Sequence, residues 1–244
     1  MVASVFYRLL SSLHPLPFTS FTPSTLQMEL TDYVDAYCER IDPGFWAEPL
    51  NATSNAGFAV AAALLVARLR RSPGPLPMSI RLLPALLLLV GLGSFAFHTL
   101  ATLWAGWLDT GFILAFACVF FYAFFRHVAG APWQWSGAAA FGFFGLSFGA
   151  KAWLPDLGMN GSEAYSPMLL GLFAMTAWLR REPAAFKSFL AGTLLLCVSI
   201  ALRTIDRAAC ESIPVGTHFL WHLLNAAVLY VLTAAMIESK DVKA

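Results

Sequence analysis

Ile80-Arg81-Leu82-Leu83-Pro84-Ala85-Leu86-Leu87-Leu88-Leu89-Val90-Gly91-Leu92-Gly93-Ser94-Phe95-Ala96-Phe97-His98-Thr99-Leu100 carries one formal charge, at its start, and one histidine, near its end. A helix needs roughly 17 to 25 largely apolar residues to cross a bilayer, and this stretch meets that length. The rest of the chain has the same character. Its 244 residues are 59% hydrophobic and only 12% charged, and the mean hydropathy is +0.68, too apolar for a water-soluble domain to cover. A net charge of +1, with no basic stripe interleaved with aromatics, argues against nucleic acid as a partner. No protein partner is evident in the short loops.

Working outward, seven stretches come near membrane-helix length, at about 52–69, 80–100, 106–126, 133–150, 164–180, 186–205 and 216–237. The fold class read from them is an all-α membrane protein, a seven-transmembrane helix bundle. Arg68, Arg70, Arg71, Arg81, Arg126, Arg180, Arg181, Lys187, Lys240 and Lys243 fall on one side of these spans, ten of the fifteen Lys and Arg residues. The positive-inside rule therefore places the N-terminus outside and the C-terminus in the cytoplasm. The arm 1–27 has no clean apolar core of a secretory signal and reads as a disordered extension, with Met28 as an alternative start. Residues 28–244 read as a single transmembrane domain without internal repeats.

Ionisable groups inside a membrane are costly and usually functional. Ser94 and His98 lie four residues apart and share a helical face at the outer end of the second span. Asp109 begins the third span at the same level. The seventh begins His218-Phe219-Leu220-Trp221-His222, a second pair spaced by four. Two imidazoles so spaced project from one face and can hold one metal, and a third histidine from another helix leaves a tetrahedral position open, as in catalytic zinc sites. Asp109 is then the candidate base for a metal-activated water, and Ser94 the candidate donor to an oxyanion. Taken alone, either motif is also what packing or interfacial histidines and a helix-bonded serine look like.

The segment 32–48 holds five carboxylates and one arginine in a turn-rich stretch. Its oxygens suit calcium, although the spacing is not that of an EF-hand; a solvated acidic loop is the alternative. Topology places Cys38 and Cys210 on the same, non-cytoplasmic side, where a bridge would tie the acidic segment to the loop before the histidine pair. Cys118 and Cys197 fall within spans and read as small buried apolar residues.

Several segments together resemble the alkaline ceramidases, seven-helix intramembrane hydrolases grouped with the adiponectin-receptor-like proteins. They are Tyr37-Cys38-Glu39 through Ala47-Glu48-Pro49-Leu50-Asn51-Ala52-Thr53-Ser54-Asn55, Gly93-Ser94-Phe95-Ala96-Phe97-His98 with Asp109, Ile205-Asp206-Arg207-Ala208-Ala209-Cys210-Glu211-Ser212, and His218-Phe219-Leu220-Trp221-His222. The resemblance implies zinc on His98, His218 and His222, with Ser94 and Asp109 beside it. It also implies a Cys38–Cys210 disulfide, and calcium held by Asp35, the Tyr37 carbonyl, Glu39, Asp42 and Glu48. Asp35 reaches its place only with a one-residue gap, Ala36 aligning without one. Pro49-Leu50 stands where animal members have aromatics, the mark of a distant, bacterial member, for which the membrane is the inner membrane. The implied activity is hydrolysis of a membrane lipid amide, ceramide or a related N-acyl sphingoid base, at the non-cytoplasmic face. A lipid-binding receptor or adaptor with structural zinc, or a hydrolase of another acyl lipid, shares the same residues.

Overall fold

The computed structural model describes residues 29–155 and 157–239, without side chains at 151–153. The arm 1–27, Met28, Lys240 and Lys243 lie outside the described residues. Helices account for nearly all regular structure: α1 Pro49–Ser54, α2 Ala56–Arg71, α3 Met78–Leu100, α4 Leu103–Ala123, α5 Trp133–Trp153, α6 Ser166–Trp178, α7 Pro183–Ala209 and α8 His218–Glu238. Proline opens α1 and α7, where its missing N–H costs nothing and its φ is already helical. Three arginines close α2, a favourable sign of charge at a helix C-terminus.

Five helical stretches are long and apolar enough to cross a membrane: Pro49–Arg71, Met78–Leu100, Leu103–Val128, Pro183–Ala209 and His218–Glu238. These mark an integral membrane protein. The expected spans 133–150 and 164–180 differ from them. The first corresponds to α5, which is long enough at 21 residues but opens Trp-Gln-Trp-Ser-Gly and is diluted by further Gly and Ser. The second is a 3-10 turn Ser162–Tyr165, a 13-residue α6 and a second 3-10 turn Leu179–Arg181 in unbroken succession, so that its α-helical part alone is short of the length a bilayer core requires.

In α3 the buried positions Ile80, Leu83, Leu87, Val90, Ser94 and His98 recur at three- and four-residue steps, one stripe of a helix. That stripe begins as aliphatic core, packed with Leu65, Phe120 and Leu232, and ends as the polar site. Leu82, Leu88 and Leu92 on the other face are exposed, which in a bilayer is the lipid side. α3 packs chiefly on α4, α7 on α8, and α2 lies between α3 and α8. At the end remote from the histidines Arg68 pairs with Glu238 and donates to the Tyr230 hydroxyl at 2.8 Å, joining α2 to α8.

Two features hold the histidine end. An antiparallel bridge pairs Tyr33 with Thr102 and Val34 N–H donates to the Ala101 carbonyl at 2.8 Å, laying the acidic segment across the α3–α4 turn. Cys38 and Cys210 are joined by a disulfide, as the resemblance implied, tying that segment to the end of α7.

Candidate metal centre

His98 comes from the last turn of α3, and His218 and His222 from the first two turns of α8. All three are at most 2% exposed. One ring nitrogen from each lies within 4.8 Å of the others, so the three could hold a metal ion. Their ring centroids are 5.1, 4.7 and 4.6 Å apart. His98 Nε2 and His218 Nδ1 are buried without a hydrogen-bond partner. Orphaned buried nitrogens are rare in folded proteins unless a ligand, ion or water takes them, and this donor set suits zinc.

Neighbours determine which nitrogen is free. His98 Nδ1 lies 2.6 Å from Glu48 Oε2; a carboxylate accepts, so Nδ1 carries the proton and Nε2 keeps its lone pair. His222 Nδ1 lies 2.8 Å from Ser54 Oγ. The Ser54 hydroxyl already donates to the Asn51 carbonyl at 2.9 Å, so it accepts from His222 and again leaves Nε2 free. His218 is held differently. The Tyr37 ring stacks on it at 3.6 Å between centroids, and its backbone N–H donates to Asp206 Oδ1 at 2.9 Å.

Asp206, fully buried, also accepts from Thr217 N–H at 2.6 Å and Cys38 N–H at 3.1 Å. It thereby caps α8 from a distance and pins the acidic segment. Gly216 makes this approach feasible: its φ is +65°, and a Cβ there would sit 2.2 Å from Asp206 Oδ1. Gly93 plays a similar part between α3 and α4, since a Cβ would meet Asp109 N at 3.2 Å and Phe112 at 2.7 Å. Ser94 and Asp109 line one cavity together with His222, and Ser94 Oγ is 3.4 Å from His222 Nε2. Asp109 Oδ1 is buried without a partner.

Two cavities border this site. A narrow one of about 50 Å³ runs into the bundle past Ser94, Asp109, Phe116 and His222. A wider one of about 420 Å³ is lined by Tyr37, Phe97, Trp107, Asp109, Tyr165 and Arg203. Both are bordered by Asp109, Ile113, Tyr165 and Met168.

A model of the ceramidase family matches residues 36–242. The chain belongs to the ceramidase family. Comparison with curated proteins and with solved structures finds no match. In this ceramidase-family chain the three histidines form one buried group, and Ser94 and Asp109 line a cavity with His222.

The calcium ligands that the family resemblance implied are not brought together. Among the described residues the three histidines form the one group of His, Cys, Asp and Glu suited to a metal. Both Glu39 oxygens accept backbone N–H groups, from Leu50 at 2.7 Å and Asn51 at 2.8 Å, capping α1. Burial raises the Glu39 carboxyl above its ordinary range against the pull of these bonds. Asp35 pairs with Arg207 at 3.3 Å, and Asp42 Oδ1 accepts from Gly44 N–H at 2.6 Å. The Tyr37 carbonyl takes the Arg40 N–H at 3.3 Å, and burial pushes the Tyr37 phenol up. Glu48 accepts from Arg40 and, through Oε2, from His98 and from Asn51 Nδ2 at 2.9 Å. Burial pushes its carboxyl up, but the bonds and charges of His98, Asn51 and Arg40 prevail and hold it below the usual range.

Glu48 therefore belongs to the histidine site, a role its acidic context concealed. Ser54, Tyr37, Arg40 and Asp206 also had no such role in the sequence reading. The signals available were their places in the family-like segments and, for Arg40, its being the one basic residue of an acidic segment.

Proposed function

We propose that the protein is a zinc-dependent hydrolase of a membrane lipid amide, ceramide or a related N-acyl sphingoid base, with His98, His218 and His222 as the zinc ligands. The observation that carries this reading is the presence, in one buried site, of three imidazoles, two with Nε2 freed by Glu48 and Ser54, and of an unpartnered oxygen of Asp109, a residue that borders both cavities. Zinc at that point would supply Lewis acidity towards an amide carbonyl and acidify a water. Asp109 takes the proton of the attacking water and returns it to the leaving amine. Ser94 donates to the carbonyl oxygen as it gains charge. Glu48 and Ser54 keep the rings aimed. Two cavities that share Asp109 in their lining suit an amide with a chain on either side. The low polarity of the narrow one suits the acyl tail.

The same proposal takes α5 and α6 with its flanking turns as two further spans, giving one seven-helix bundle. The N-terminus is outside, and the histidines face the non-cytoplasmic side of the membrane, the inner membrane if the source is bacterial. This orientation rests on the basic residues of alternate loops.

The test is fatty-acid release from a panel of N-acyl sphingoid bases and N-acyl amines by detergent-purified protein, with metal content measured in parallel. The expected result is about one zinc per chain, turnover on at least one lipid, loss of activity on chelation and its return with zinc. His98→Ala and Asp109→Ala should fall to background while melting cooperatively. Full activity in His98→Ala would sink the assignment. Bound zinc with no turnover on any lipid would move the reading to a receptor or adaptor.

A further inference from the structure

Arg40 is the one basic residue of the acidic segment 32–48, and its side chain is fully buried. Its guanidinium collects four oxygens, three from its own segment and one from the end of α3. Nε donates to Glu48 Oε1. One terminal nitrogen donates to the carbonyls of Asp42 and Gly44 at 3.2 and 3.4 Å, the other to the carbonyl of His98 at 2.7 Å. The last is one of the terminal carbonyls of α3, which lack partners within their own helix and face the negative end of its dipole. The Tyr33 ring covers the cation at 5.8 Å.

One carboxylate and three carbonyls around a buried point is the ligand chemistry of a hard cation, and here those oxygens are already used by a guanidinium. A divalent ion added beside it would meet a fixed, buried positive charge. The remaining carboxylates are not free to compensate, since Glu39 caps α1 and Asp42 bonds Gly44. We propose that Arg40 is the resident cation of this segment, standing in for the calcium that the family resemblance implies, and that it positions Glu48 against His98. Glu48 gives one oxygen to each, so the guanidinium fixes the carboxylate whose other oxygen selects the free nitrogen of His98. The second half rests on the metal reading above; the first stands without it.

The experiment uses the full-length protein in detergent and reads melting temperature and zinc affinity, the latter by competition with a chromophoric chelator, so neither readout needs turnover. In the wild-type protein calcium up to about 5 mM, above the range of weak extracellular calcium sites, should change neither quantity. A calcium-dependent rise in melting temperature would overturn the resident-cation role whatever the lipid assays show. Arg40→Gly should bind zinc about 10- to 100-fold more weakly, and millimolar guanidinium should recover part of that loss, because the vacated oxygens remain. Unchanged zinc affinity in Arg40→Gly, or a loss that guanidinium leaves untouched, would overturn the positioning role. If Arg40→Gly does not fold, Arg40→Lys serves in its place. It keeps the charge without the planar fork, so intermediate zinc affinity supports the proposal and wild-type affinity overturns it.

Discussion

The last turn of α3 and the first turns of α8 deliver histidines to the same point, but by opposite means. At α3, His98 is aimed by a carboxylate that is 3% exposed and is balanced by a guanidinium with no exposure at all. Taking both charges out of water costs several kcal/mol per ion, and the arrangement is stable only while each partner is present. At α8, His222 is aimed by the neutral Ser54 hydroxyl, itself anchored on a neighbouring carbonyl, and His218 by a stacked ring and a capped backbone. A neutral hydrogen bond is worth about 1 kcal/mol net. On the proposed zinc reading, the α3 side couples metal affinity to fold stability, whereas the α8 side separates them, with Ser54 adjusting a ring and Asp206 holding the helix.

The sharpest way to break this contrast is Glu48→Gln. Zinc affinity should fall about 10- to 100-fold, and stability should drop by about 3–5 kcal/mol because Arg40 is left buried without its counter-charge; chelator competition and thermal melting read the two effects. Asp206→Ala should come next, in stability alone. Three backbone N–H groups lose their acceptor at the start of α8 and at Cys38, at a cost of about 1–3 kcal/mol for each group that stays buried and unpaired. Zinc affinity in the surviving folded fraction should change less than in Glu48→Gln. Ser54→Ala should be smallest, with less than about a tenfold loss in zinc affinity and about 1 kcal/mol in stability. If Ser54→Ala matched Glu48→Gln in both measurements, charge would not be what distinguishes the two helix ends.

Much of this end of the molecule was legible from residue order. Histidine is rare inside apolar spans, and the i, i+4 spacing of Ser94 with His98 and of His218 with His222 needs only helical geometry to place each pair on one face. The segment 32–48 was not legible in the same way. Its composition suited calcium or a solvated acidic loop, and the ligand set came from the family resemblance alone, because composition counts charges without showing what they face. Folding hands Glu39 to the N–H groups of α1, Asp35 to Arg207, and Glu48 to Arg40 and His98. Spans 133–150 and 164–180 were legible in length more than in composition: the first is a Trp- and Gly-rich helix and the second a short α-helix between 3-10 turns, and neither is among the five stretches apolar enough by composition to cross a membrane.

The amino-acid order by itself determined that the chain is helical and membrane-embedded, that its polar residues gather at the ends of three spans, and which side chains could bind a metal. Those properties follow from hydrophobic length and helical period, both local. Only the tertiary structure decided which nitrogen of each imidazole is free, that Asp206 caps a helix beginning twelve residues later, and that an arginine fills the acidic segment. Ser54 and His222 are 168 positions apart and Glu48 and His98 are 50 apart. Hydrogen bonds and buried charges act over a few ångströms, so their partners are set by where distant segments pack, which no local pattern encodes.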